Sequence, residues 1–472
     1  MLMLVPHSMS GERVGILGLG LSGMAAARSL DAAGAHCWLH DDGRAAPDNP
    51  PAGAQPAHWR DWPWDRLDAM VISPGIPHDH PAPHPAAARA VAAGVGIISE
   101  GELAMRAAPA ARIVAITGTN GKSTTTALIG HCLRTAGIGV SVGGNIGDAA
   151  CNLDDPGPDG VIVLELSSYQ LETTPSLHAD VALILNITPD HLDRHGGMDG
   201  YVAAKARILS ALPSHGLAVF GADDGPVGTL AADFETSGGN AMTVSAHDLP
   251  DDTRLSPALA GPHNAINAAG ATACLRHLGV TDADIAAGMA GFAGLAHRMQ
   301  HVAQHGGVAF VNDSKATNGV AAACALAAYD SIYWIAGGEA KADGLGPAAG
   351  ATANVEHAYL IGSSAADFAA TLDGHGPISV SGDLESATTA AFADASAAIG
   401  AAGRATILLS PAAASFDQFD NFVARGDAFS AIATARRRVR PGRRACLTAP
   451  IALLSGSGGG LLTAGFWPAR CC

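Results

Sequence analysis

The sequence predicts an α/β protein of several domains, each built on a mainly parallel sheet. Three observations carry this. Short apolar runs, at residues 14–17, 70–73, 113–116, 161–164, 181–185, 308–311, 332–335 and 407–409, alternate with Ala-rich stretches of helical character. Such alternation implies parallel strands with ligands at their C-terminal ends. The runs at 14–17 and 113–116 open into Gly-rich turns, and those at 161–164 and 181–185 end in the polar Glu165 and Asn186. Composition agrees: 48% hydrophobic, 5% aromatic and 15% charged residues suit a packed globular chain. At about 100–200 residues per domain, 472 residues make two to four domains.

The first element is a strand leading into Gly18-Leu-Gly-Leu-Ser-Gly23 and a helix. This turn fits a dinucleotide fingerprint, with Asp41 or Asp42 near the expected acidic position. Taken alone it favours NAD or FAD over another diphosphate such as UDP. Pro-rich loops are expected at residues 47–56 and 77–85. His78, His80 and His84 lie among the second set of prolines; a solvated loop is the preferred reading, a metal site the alternative.

A second segment begins near Gly101, and its strand runs into Gly118-Thr-Asn-Gly-Lys-Ser-Thr124. A Gly-rich turn between strand and helix points backbone N–H groups at phosphate, and the helix N-terminus adds positive potential. Lys122 then neutralises the β- and γ-phosphates, and Ser123 ligates Mg²⁺. Ile116 stands where the general phosphate loop has its first Gly. An ordinary Gly turn is the competing reading. Glu165-Leu-Ser-Ser-Tyr-Gln-Leu-Glu172 and Asn186-Ile-Thr-Pro-Asp-His-Leu-Asp-Arg194 both follow strands. Glu165 and His191 are oxygen and nitrogen donors suited to Mg²⁺ beside phosphate; helix capping or a surface position is the bland alternative for each.

The chain has 27 basic residues but only four Lys: Lys122, Lys205, Lys315 and Lys341. These mark places where an ammonium, or a reactive neutral amine, does what guanidinium cannot. The bland reading of Lys205 is a surface ion pair. Net charge is −16, which disfavours a non-specific nucleic-acid binder. Eight scattered Cys without CxxC spacing suggest neither a zinc site nor a disulfide framework, and a reducing cytoplasm is expected. No apolar run of membrane-spanning length and no secretory signal are read. A third segment begins near His297. From Arg436 to Cys472 the chain has seven Arg and no Asp or Glu, and a disordered tail is expected there.

These residues resemble the Mur ligase family over roughly residues 14–435. Residues 164–171, Asn312-Asp-Ser-Lys-Ala-Thr-Asn318 and residues 409–419 resemble its D-glutamate-adding branch. The resemblance implies three domains: a Rossmann-like UDP-binding domain (1–100), a central P-loop-type ATPase domain (101–296) and a C-terminal Rossmann-like domain for the amino acid (297–435), followed by an atypical tail (436–472). It implies that Leu19, Ser22, Asp41, Ser73 and Gly75 hold the UDP part. Asn145, Ser167 and Gln170 then serve the muramoyl substrate. Gly118, Thr119, Asn120, Gly121, Lys122, Ser123, Thr124, Asn264, Asn267, His297, Arg298 and Asp313 form the ATP site, and Thr317, Lys341, Ser415 and Phe422 the D-glutamate pocket. Two Mg²⁺ ions are implied, on Ser123, Glu165, His191 and Lys205, the last carrying a CO₂-derived carbamate. Ala296 stands where the family usually has Pro, and residues 338–341 are a variant of the loop around the pocket lysine.

The implied reaction joins D-glutamate to UDP-N-acetylmuramoyl-L-alanine through an acyl phosphate, with Lys122, His191 and Lys205 as catalytic residues. No general base for the amine is evident from the sequence, and His191 is a weak candidate. A cytoplasmic monomer without nucleic-acid or membrane partners is expected. A later ligase of the family, an NAD-dependent oxidoreductase and a non-catalytic nucleotide sensor remain as alternatives.

Overall fold

The structure, a computed structural model, describes residues 2–435 except 46, 48, 222–224, 250–252, 260, 342 and 400–402. The disorder expected for residues 436–472 lies outside the described residues.

Three sheets follow one another along the chain. The first has five parallel strands in the order Ala54–Pro56, His36–His40, Arg13–Leu17, Ala69–Ile72, Gly96–Ile98. Numbered along the chain this is 3-2-1-4-5, the doubly wound order that opens a crevice beside its first strand. Helix Leu21–Ala33 leaves the Gly turn so tightly that a Cβ on Gly23 would overlap the Gly18 carbonyl. Glycine is therefore obligatory there.

The central sheet has six parallel strands, with Arg112–Thr117 between Val181–Ile184 and Val161–Glu165. Ile113, Val114 and Ile116 are at most 1% exposed. Each buried side chain of this size contributes about 1.5–3 kcal/mol. Helices Lys122–Thr135 and Pro262–His277 cover one face, and Met198–Ala206 covers the other. The third sheet runs Gln300–His305, Val308–Asn312, Ala405–Leu409, Ile332–Gly337, Val355–Ile361, Ile378–Gly382. Only its first pair is antiparallel. The strand Leu2–Met3, which precedes the first sheet in the chain, pairs antiparallel with Asp154–Asp155 as a separate two-stranded sheet.

Two loop expectations are corrected. Residues 54–56 form a strand despite Pro56, because this is a sheet edge, where a missing N–H is tolerated. The His–Pro segment is not merely solvated. His84 caps helix Pro85–Ala93 by accepting from Ala86 N, and its Nε2 donates to Asp42, which also pairs with His40. His78 Nε2 lies 3.8 Å from Glu172.

The last described helix, Phe422–Ala435, buries Phe429 and Ala433 against the third sheet, and its Ala433 carbonyl accepts from His305 Nε2 at 2.7 Å. A chain ending at Ala435 keeps every described element of the fold, and it should keep its thermal midpoint, and its activity within about twofold. A soluble, folded but inactive truncation would refute this.

Candidate active site

Strand Arg112–Thr117 delivers the turn of residues 118–121 to the start of helix Lys122–Thr135. Gly121 sits at φ 84° with its Cα against the Asn267 amide, so a side chain would strain the backbone and strike Asn267. The turn is braced from the neighbouring strand. Asn120 N donates to Asn186 Oδ1 at 2.8 Å, and Asn186 Nδ2 donates back to Asn120 O at 3.0 Å. Thr119 Oγ1 contacts Thr188 O and the Tyr201 hydroxyl, both at 3.1 Å. Thr119 N, bonded to Asn186 O, and Asn120 N are spent on this brace, which leaves the first-turn amides of helix Lys122–Thr135 to meet an anion.

Cations crowd this turn. Lys122 Nζ donates to the carbonyls of Gly118 and Thr119, and Lys205 Nζ donates to Gly118 O at 2.8 Å. Arg298 crosses from the third segment to donate to Ser123 Oγ at 2.7 Å. Lys315 Nζ lies 4.0 Å over the Phe422 ring. Burial, then the charge of Lys122, pushes Lys205 down to about 6. Burial and Arg298 bring Lys315 to about 8. Burial also lowers Lys122 and Arg298, against the attraction of Glu165.

Glu165 is 2% exposed; its Oε1 accepts from Asn145 Nδ2 at 2.9 Å, while its buried Oε2 has no partner. An unsatisfied carboxylate oxygen beside a phosphate loop fits a hard cation. His191 follows at φ 52°. Burial lowers its pKa, Asp190 opposes this, and Lys341 lowers it further, so the imidazole stays neutral and able to ligate. Among the described residues no three His, Cys, Asp or Glu side chains converge as a protein-only metal site. Mg²⁺ beside phosphate needs only one or two protein ligands.

A cleft of about 340 Å³ lies beside the turn, lined by Asn120, Gly121, Thr124, Asn264, Asn267, Arg298 and Asp313 among the expected residues. Burial raises Asp313 to about 7, against hydrogen bonds from Ser410 and Met299. A second cleft, of about 320 Å³, opens at the first sheet between Leu19, Asp41, Arg44 and His58. Asp41 accepts from the N–H groups of Leu19, Gly43 and Arg44. Burial opposes its ionisation, but these donors outweigh it and hold the carboxyl low. Ser73 Oγ donates to Gly18 O, which joins the two loops of this site; Ser22 is half-buried on the adjoining helix and Gly75 is exposed.

Residues 116–275 match the model of the Mur ligase middle domain. The UDP-N-acetylmuramoylalanine–D-glutamate ligase of Paramagnetospirillum magneticum is 44% identical over 89% of this chain and 96% of its own length. The chain belongs to the Mur ligase family. The ligase of the same name from Phenylobacterium zucineum is 46% identical over 89% of this chain and 96% of its own. Among solved structures, UDP-N-acetylmuramate-alanine ligase MurC from Thermotoga maritima superposes with a TM-score of 0.57 at 17% identity, covering 90% of this chain and all of that one. As a Mur ligase the chain has the three-domain α/β fold, and the oxidoreductase and sensor readings fall away.

Within this Mur ligase some expected contacts turn inward. Ser167 and Gln170 form a capping box on each other, and Gln170, 1% exposed, donates its remaining amide to Glu100. His297 is packed beneath Gly426 with its ring against Asn312, so Arg298 alone of that pair lines the cleft. Lys205 is no surface ion pair: it is 2% exposed. Thr317 and Phe422 are half-buried, Ser415 is buried and Lys341 is exposed. Arg425, absent from the sequence reading, ties their loops together: its guanidinium donates to Ser314 O, Ala413 O, Ala414 O and Gly337 O. Lys315 was also missed as a site residue, although its rarity as a Lys was the available signal.

A Lys held at about 6 in the fold and near 10.5 when unfolded binds fewer protons folded than unfolded between those pH values. Its stability contribution therefore improves as pH rises through that window. In bicarbonate-free buffer, Lys205→Met should raise the thermal midpoint most at pH 6, and the gain should shrink towards pH 10. A gain independent of pH would remove Lys205 as its source.

Proposed function

We propose that this Mur ligase uses ATP to join D-glutamate to UDP-N-acetylmuramoyl-L-alanine, a step in peptidoglycan precursor synthesis. The observation that carries it is the group of cations around residues 118–123 facing the free oxygen of Glu165, an arrangement suited to a polyphosphate with Mg²⁺. The names of relatives 42–46% identical over most of the chain support the choice of substrates.

In this reading the domains divide as 1–100, 101–296 and 297–435. UDP occupies the cleft at Leu19 and Asp41, and the adenosine the cleft at Asn264, Asn267 and Asp313. Lys122, Arg298 and Lys315 surround the triphosphate. A carboxylate oxygen of the substrate attacks the γ-phosphorus and ADP departs, so that phosphate replaces oxide as the leaving group at the acyl carbon. The D-glutamate amine attacks the acyl phosphate, and the tetrahedral adduct expels phosphate. The protein's task is to align three anions and offset their charge. Ser123, Glu165 and His191 would hold Mg²⁺, with a carbamate on Lys205 completing two sites; bound Mg²⁺ supplies charge neutralisation at the phosphate and carboxylate oxygens. The low pKa of Lys205 supports that modification, since only neutral amine combines with CO₂. A cytoplasmic monomer belongs to the same reading; among the described residues no helix is long and apolar enough to cross a membrane.

Two outcomes follow. Phosphate release should require ATP, UDP-substrate and D-glutamate together, with L-glutamate, L-lysine or diaminopimelate slower by about 100-fold or more, because polar groups placed for one ligand and left unpaired by another discriminate strongly. Equal turnover with L-lysine or diaminopimelate would overturn the pocket assignment. Lys205→Arg should lose nearly all activity while still binding ATP, and Lys205→Ala should be partly rescued by short carboxylic acids. Near-normal turnover by Lys205→Arg would remove the carbamate.

A further inference from the structure

Arg194 ends the motif that carries His191, yet nothing in the phosphate chemistry uses it. The turn Leu192–Arg194 closes on His191, because Arg194 N donates to His191 O at 2.9 Å. The guanidinium then leaves the central domain. Its Nη1 donates to Gly75 O at 2.9 Å and its Nη2 approaches Pro74 O at 3.5 Å, both on the loop that follows strand Ala69–Ile72 of the first sheet. It lies 4.5 Å over the ring of Tyr169.

That ring is itself fixed. Tyr169 stacks on His195 with centroids 5.2 Å apart and planes 11° apart, and its centroid lies 5.6 Å from that of His191. His195 is held at both nitrogens, by Ser168 Oγ at 2.9 Å and Glu172 Oε1 at 3.2 Å. The other Glu172 oxygen faces His78, on the same first-domain loop. Residues 191–195 are thus clamped between a rigid aromatic floor and the loop of residues 73–80.

We propose that Arg194 is a positioning residue that ties residues 74–75 to the placement of His191. Fixing the Pro74 carbonyl orients the peptide plane that carries the Gly75 N–H. The same side chain fixes the start of the turn that presents His191. A planar guanidinium can stack on Tyr169 while donating from one edge to two carbonyls; an ammonium cannot. Substrate held by the first domain and the group acting at its carboxylate therefore share one strut. This rests on the reading that residues 73–75 help to hold the UDP part.

The test uses the full chain with two readouts. In steady state, Arg194→Ala should raise KM for UDP-N-acetylmuramoyl-L-alanine and lower kcat, each by about tenfold, while KM for ATP stays within about twofold, as expected from misplacement at one substrate only. Arg194→Lys should recover little of this. By hydrogen exchange without ligands, the variant should lose protection together at the amides of Ile76, on the first-domain loop, and of Arg194 and His195, in the turn. An unchanged KM for the UDP-substrate, proportional shifts for all substrates, or unchanged exchange in either segment would overturn the coupling. If wild type fails to turn over the UDP-substrate, the functional reading fails instead, and exchange alone decides the strut. If Arg194→Ala does not fold, Arg194→Lys carries both measurements.

Discussion

Several basic side chains, one buried and the others half-buried, crowd one turn with too little protein anion to balance them all as cations. Lys122 and Lys205 both fall back on the Gly118 carbonyl, and Arg298 and Lys315 converge from the third segment. Glu165 answers with one engaged oxygen and one free one. Desolvating like charges without partners is costly, and a ligand carrying several negative charges relieves that cost. The surrounding fold explains how the arrangement survives without it. Asn186, Thr188 and Tyr201 hold the turn from neighbouring elements, and the strand beneath is apolar from Ile113 to Ile116.

Burial also sets the chemical state of these groups. A Lys near 6 is largely a neutral amine at physiological pH, and His191 is kept neutral as well. Both can therefore offer lone pairs in a region otherwise rich in positive charge. The two readings of Lys205 in the sequence, surface cation and modified ligand, diverge on burial alone, and its 2% exposure decides against the surface.

Much of this was legible in the sequence. Gly118, Gly121 and Lys122 are local: turn geometry and phosphate charge demand those residue types at that spacing. The strands beneath are continuous apolar runs and were read nearly to their ends. Strands that escaped notice are short or mixed, such as His36–His40, or broken by small residues, such as Val140–Gly144. Arg425 and Arg194 escaped for a different reason. Arg425 meets Ser314, 111 residues away, and Arg194 meets Gly75, 119 residues away. Both bond carbonyls, which every residue possesses, so no pattern of side chains announces them. His297 and Gln170 have types that suit ligand binding, and in the fold they also bond protein neighbours, Asn312 and Glu100.

The short strand Leu2–Met3 has a mechanical meaning. By pairing with Asp154–Asp155 it fastens the first sheet's unit to the central one at a second point, besides the direct connection through helix Glu100–Arg106. The third unit has one covalent tether, residues 292–299, where His297 and Met299 take left-handed backbone angles. A body hinged at two points is braced, whereas one hinged at a single point can swing. Arg298, which bonds Ser123, sits in that tether. The tether is thus bonded to the phosphate loop, at the place where basic side chains are most crowded.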